Sequence, residues 1–265
     1  MIFARLKMRG NQMARQSLDG KTALITGSAV RIGREIALSL AQRGVNVIIH
    51  YNRSAEHADE LALELNRAGV KSWTVQADLS QSDSFQTLIK RSLGLSGSLD
   101  ILVNNASVFT KSTVEDLTLE DLIKNIEINA WAPFSLSRSY AHEIKQGCII
   151  NLLDQRVFSF DMDHTGYILS KHVLTALTKI TALAYAPHIR VNGIAPGLIL
   201  PPPGESISYL ANRSRTVPLN KYGNPSDIGE TAVFLASNEF ITGEIINIDG
   251  GRHLRENYLP QQQNI

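Results

Sequence analysis

Short apolar, β-prone runs alternate with amphipathic helical stretches along nearly the whole chain, and this alternation narrows the fold more than any other feature. Lys21–Thr26, Val45–Ile49, Ser72–Ala77, Leu99–Val103, Gly147–Leu153, Ile189–Ile194 and Glu244–Ile248 read as strands. Between them Ile32–Arg43, Ala55–Ala68, Ser82–Leu93, one long stretch Leu119–Tyr140, a helix from Tyr167 to Tyr185 and Ser226–Ser237 read as helices. The series predicts right-handed βαβ units, hence an α/β fold with a parallel sheet covered on both faces. A length of 265 residues suits one such domain. Pro201–Gly204 interrupts the pattern beyond the sixth strand, where either a substrate lid or an inert surface excursion fits.

A formal net charge of +1 gives no reason to expect nucleic acid as a partner. The lone Cys148 excludes an internal disulfide framework and a multi-cysteine metal site, and its apolar run marks a buried structural thiol. Residues 1–19 are basic and hold Met1, Met8 and Met13, with no apolar run of signal-peptide length. No run elsewhere reaches a membrane span. The expectation is a flexible leader over 1–19, a single folded domain over 20–265, no membrane and a cytoplasmic location.

The first strand–helix turn, Thr26-Gly-Ser-Ala-Val-Arg-Ile-Gly33, stands where a doubly wound sheet binds a dinucleotide. Gly27 permits a tight exit from the strand, Gly33 lets the helix pack close, and amides at the helix start, near Ile32, can meet a pyrophosphate. Arg31 replaces the middle glycine of the usual pattern. At the end of the second strand the chain reads His50-Tyr51-Asn52-Arg53-Ser54, without the carboxylate an NAD ribose needs. Arg31, Arg53 and Ser54 are therefore expected to converge on a 2′-phosphate, which selects NADPH. A solvated basic patch is the plainer alternative.

Tyr167 and Lys171 are four apart and share one face of a helix. A phenol's ordinary pKa is about 10, and an ammonium at roughly 4 Å attracts its anion by on the order of 4 kcal/mol. Lys171 is thus expected to pull Tyr167 toward a useful proton donor, with burial opposing. On spacing alone the pair reads more simply as an amphipathic face with a snorkelling lysine.

Together these pieces resemble the short-chain dehydrogenase/reductase family over nearly all of residues 20–253. The resemblance rests on Thr26-Gly…Gly33, Asp78-Leu79, Asn104-Asn-Ala106, Asn129, Tyr167-x-x-x-Lys171, Arg190-Val-Asn-Gly-Ile-Ala-Pro-Gly197 and Thr242-Gly…Asp249-Gly-Gly251. It implies a single Rossmann-type, three-layer domain with a seven-stranded sheet, commonly a homotetramer. It implies that Lys171 binds the nicotinamide ribose and that Asn129 holds a water in a proton relay. Asp78 with Leu79 would contact adenine; Asn105, Ala106, Ser107, Pro196 and Gly197 would line the cofactor.

The family's usual serine on the strand before the tyrosine is replaced by Asp154, thirteen residues before Tyr167. A carboxylate accepts hydrogen bonds and donates none, so it suits a substrate presenting N–H groups and disfavours a ketone's oxyanion. It also raises the tyrosine's pKa. A simpler role, capping the segment that follows, stays open. With Arg31, His50–Ser54 and Asn104-Asn-Ala-Ser-Val-Phe109, the chain looks like the pteridine reductases. That likeness implies a pterin between nicotinamide and Phe109, contacted by Ser107, Asp154, Tyr167 and Arg31, although Phe109 also fits ordinary loop packing. The alternatives on this scaffold are a carbonyl or 3-oxoacyl-thioester reductase and a non-catalytic NADPH-binding regulator.

Overall fold

The computed structural model describes residues 17–160, 162–202 and 204–257. Residues 1–16 of the expected leader lie outside them, as does Pro203 of the proline break. Seven parallel strands, β1 (Thr22–Ile25), β2 (Asn46–Tyr51), β3 (Ser72–Gln76), β4 (Ile101–Asn104), β5 (Gly147–Leu152), β6 (Ile189–Pro196) and β7 (Ile245–Ile248), form one sheet. Their order is β3-β2-β1-β4-β5-β6-β7. Helices α1 (Arg31–Ala41) and α2 (Ala55–Arg67) follow the first two strands, and α3 (Ser82–Gln86) and α4 (Leu88–Ser96) follow the third. Next come α5 (Leu119–Ile126), α6 (Ala132–Glu143), α7 (Thr165–Tyr185), α8 (Ser208–Arg213) and α9 (Pro225–Ser237).

Successive strand residues point to opposite faces, and the core divides accordingly. Ala23, Ile25, Val47, Ile49, Ile101, Val103 and Ile150 pack with Ile36 and Leu40 of α1 and with Ile228 of α9. Leu24, Ile48, Leu102, Ile149 and Val191 pack on the other side with Phe85, Leu88, Leu136 and Tyr140. Leu18, inside the expected leader, is buried in the first cluster, so the folded unit begins earlier than residue 20.

The expected long helix Leu119–Tyr140 is interrupted. A π-helical turn, Glu127–Trp131, separates α5 from α6, whose first turn holds Pro133. Proline has no N–H to continue an i→i−4 ladder, which is where the wider turn enters. The expected helix Ser82–Leu93 is likewise two, meeting at Thr87.

Candidate active site

The carboxyl ends of β1, β4, β5 and β6 carry Gly27, Asn105, Asp154 and Gly197, around the reversal of strand order between β1 and β4. That switch point is where open α/β sheets leave a crevice. Gly27 turns out of β1 with φ +63°. The Asn105 Nδ2 donates to the carbonyls of Thr26 and Gly27, at 2.9 and 3.1 Å. The Thr26 hydroxyl accepts from the Asn105 and Ala106 amides at 2.9 and 3.0 Å. A Cβ on Gly33 would sit 2.5 Å from both Asn105 Nδ2 and Gly27 O. The turn is therefore a cradle that only glycine permits at this position.

Beneath the turn, the buried His50 ring accepts the Gly27 N–H at Nδ1, 3.0 Å away. That lone pair leaves the proton on Nε2, which faces Ala77 O at 3.1 Å. Burial, opposed by the bond to Ala77, lowers the His50 pKa to about 4. A neutral imidazole thus ties the ends of β1, β2 and β3 together.

Two cavities flank the turn. One, of about 520 Å³, is lined by Gly27, Ala29, Val30, Tyr51, Asn52, Arg53, Ser54, Asp78 and Ser80. The Ser80 amide and hydroxyl hold the Asp78 carboxyl below its ordinary pKa, and Asn52 and Arg53 act the same way. The other, of about 510 Å³, holds Arg31, Ile32, Asn105, Ser107, Phe109, Asp154, Tyr167, Lys171, Pro196 and Gly197. Both fall within the usual range of ligand sites. Consecutive residues of one turn line both cavities, an arrangement that fits an elongated ligand with a polar middle lying across it.

Arg31 does not join Arg53 and Ser54, contrary to the sequence-based expectation. Its backbone is left-handed, φ +58°, and its Nη2 donates to Pro201 O at 2.7 Å. It faces the Tyr167 cavity and fastens the loop after β6 over it. Leu198, Ile199, Leu200 and Pro202 line that cavity too, so the segment leading into the proline break borders the site.

In the second cavity the Tyr167 hydroxyl donates to Asp154 Oδ2 at 2.9 Å. Asp154 Oδ1 accepts the Arg156 amide at 2.9 Å, capping the short turn Gln155–Phe158. The capping role and the cavity-facing role are both present in one carboxylate. The Arg156 guanidinium closes on Asp154 Oδ2 at 3.1 Å. Burial raises the Tyr167 pKa well above 10, and Asp154 pushes the same way against a smaller pull from Arg156. The expected downward pull by Lys171 is thus reversed in net effect. Lys171 Nζ donates to Leu152 O at 2.8 Å and sits 5.7 Å from the tyrosine ring centroid. Burial lowers its own pKa to about 8, with Asp154 opposing.

Other expected residues are held by neighbouring protein groups. Fully buried Asn129 spends both Nδ2 protons on Val108 O and Ser170 Oγ, at 3.0 Å each, and Oδ1 accepts the Val108 amide. Its amide therefore positions the Val108–Phe109 segment, leaving no side-chain proton for a relay water. Leu79 is buried in the core, and Ala106 backs the glycine turn. Phe109 stacks on His164 at 4.1 Å and meets Tyr167 edge-on at 4.7 Å. Sequence reasoning missed Arg156, His164, Tyr209, Arg213 and Arg252, which also line the cavity. Arg156 alone carried a local signal, two positions after an aspartate that could cap.

Residues 27–253 match the family model described as enoyl-(acyl carrier protein) reductase. A 3-oxoacyl-[acyl-carrier-protein] reductase of Staphylococcus aureus is 33% identical over 242 residues, covering 88% of this chain and 98% of its own. An oxidoreductase, UcpA, of Salmonella typhimurium is 36% identical over 256 residues, covering 90% of this chain and 97% of its own. Among solved structures, FolM alternative dihydrofolate reductase 1 from Brucella canis, complexed with NADP, superposes with a TM-score of 0.87. It is 31% identical, and the match covers 94% of this chain and 99% of that one. The chain belongs to the short-chain dehydrogenase/reductase family and is an oxidoreductase of that family.

Proposed function

We propose that the protein is an NADPH-dependent pteridine reductase acting on a C=N bond of a dihydropterin or a related pteridine or folate. The observation that carries this reading is the Asp154 carboxylate, turned into the cavity and bonded to the Tyr167 hydroxyl. An ionised carboxylate has roughly four lone-pair sites. The Arg156 amide, the Arg156 guanidinium and the Tyr167 hydroxyl already meet it. The guanidinium straddles both oxygens, at 3.4 and 3.1 Å, so an N–H of a nitrogen-rich ring can share or replace that looser contact, whereas a ketone's developing oxyanion would be repelled.

NADPH supplies a hydride when bound. The glycine turn would hold the pyrophosphate, Arg53 and Ser54 the 2′-phosphate, and Asp78 the adenine. Lys171, Asn105, Ser107, Pro196 and Gly197 would face the nicotinamide end. Tyr167 keeps its proton at neutral pH, since burial and Asp154 both favour the protonated form, so its hydroxyl is the proton donor. Asp154 orients the ring, Phe109 flanks it, and the Leu198–Pro202 segment excludes water. The NADP complex of the Brucella canis alternative dihydrofolate reductase supports both cofactor and substrate class.

A 3-oxoacyl-thioester reductase is the second reading, favoured by the Staphylococcus relative's name. Purified protein should oxidise NADPH with dihydrobiopterin, dihydromonapterin or dihydrofolate; turnover of ketones or 3-oxoacyl thioesters alone would sink the proposal. Asp154→Ser removes an acceptor and adds a donor. It should lower pteridine kcat/KM by on the order of a hundredfold while raising ketone turnover.

A further inference from the structure

We propose that the Tyr167 cavity contains an anion subsite, in which Arg213 and Arg252 take a carboxylate or phosphate carried on the substrate's side chain. This rests on the pteridine reading for the identity of the ring and goes beyond it in naming the charge of the tail.

Three segments distant in sequence bring arginines into the lining of this one cavity: the Gln155–Phe158 turn with Arg156, α8 with Arg213, and the Arg252–Asn257 turn with Arg252. The Phe158 and His253 rings, 5.7 Å apart, link the first turn to the third. Arg156 is committed to Asp154. The Arg213 guanidinium lies 3.9 Å over the Tyr209 ring, a contact that fixes its position without neutralising it. Among the described residues, neither the Arg213 nor the Arg252 side chain makes an ion pair or hydrogen bond.

The cavity lining holds five permanent or near-permanent cations, Arg31, Arg156, Lys171, Arg213 and Arg252, against two carboxylates, Asp154 and Asp163. The whole chain carries only +1, so the excess is local and not the mark of a basic protein. Arg252 is half-buried, and burial together with repulsion from Arg156 and Arg213 makes it harder to keep charged. Like charges crowded in a cleft attract a counter-anion. The cofactor's 2′-phosphate is not that anion, because Arg213 and Arg252 do not line the cavity of Arg53 and Ser54. A planar fork matches carboxylate and phosphate oxygens equally well.

The test compares the full chain with its Arg213→Gln and Arg252→Gln variants in NADPH oxidation. The substrates are dihydrofolate with its two tail carboxylates, a phosphate ester of dihydroneopterin, and dihydromonapterin with its neutral polyol. The kcat/KM ratio of charged over neutral substrate should fall about tenfold in each variant, mainly through KM. Arg252→Lys should recover part of it, and the substrate with the greater loss identifies carboxylate or phosphate. An unchanged ratio in both variants overturns the subsite while the pteridine reading stands. No NADPH oxidation with any of the three overturns both. Because the readout is a ratio within one variant, partial misfolding does not mimic it.

Discussion

At the scale of single residues, chemistry follows from which partners burial leaves available. Tyr167 and Lys171 stand on one helix face as their spacing implies, yet the nearest charge to the tyrosine hydroxyl is Asp154, bonded to it at 2.9 Å. Lys171 turns to Leu152 O instead. His50 is a residue whose ionisation bears directly on the fold. Its folded pKa is about 4 against an ordinary 6.5, so the unfolded chain binds more protons between those values. Its neutral form supports the fold above pH 6.5, and that support is lost as pH falls toward 4, by about 3 kcal/mol in total. Urea unfolding at pH 7.5 and pH 5 should show about 2 kcal/mol of this loss. His50→Gln should flatten that component while weakening the glycine turn at both pH values, and an unaltered pH slope would contradict the assignment.

At the scale of elements, the site depends on close approaches that side chains would prevent. In Gly33→Ala the new Cβ would meet Gly27 O and the Ser28 Cα within 3 Å. Backbone must then move, at a cost of about 1–3 kcal/mol. Thermal unfolding should report that loss, and NADPH affinity should fall by tenfold or more; unchanged affinity would remove the turn from the cofactor site. The α5–α6 break is invisible to apolar spacing. Periodicity runs on through Glu127–Trp131, while the π-helical turn and Pro133 reset the hydrogen-bond ladder. That turn places Asn129 against Val108, so it shapes the Ser107–Phe109 wall. Helix α8 spans six residues after the proline break, too few for a periodic signal, and its contribution of Tyr209 and Arg213 was hidden with it.

At the scale of the whole molecule, α7 presents Leu169, Val173, Ile180 and Leu183 to solvent, with Trp131 and Ile123 also exposed. These four share one helical face by their spacing, and contiguous exposed apolar surface is a mark of association. The homotetramer expected from the family resemblance would cover it. Light scattering on the wild type should give the mass of four chains, and Ile180→Glu should give a smaller species. A monomeric wild type would rule that assembly out.

Local pattern was enough to determine the parallel sheet, the glycine turn and the tyrosine–lysine pair, because hydrophobic period and residue spacing are properties of neighbouring positions. The carboxylate at Asp154 was equally legible, since a strand end and a helix register fix where it stands relative to Tyr167. Only the folded chain decided that Arg31 faces the Leu198–Pro202 segment and not Arg53. It alone decided that burial and Asp154 outweigh Lys171 at Tyr167, and it brought Arg156, Arg213 and Arg252 into one cavity lining. Each of these outcomes depends on burial and on partners contributed from far along the chain, and neither is written in the spacing of adjacent residues.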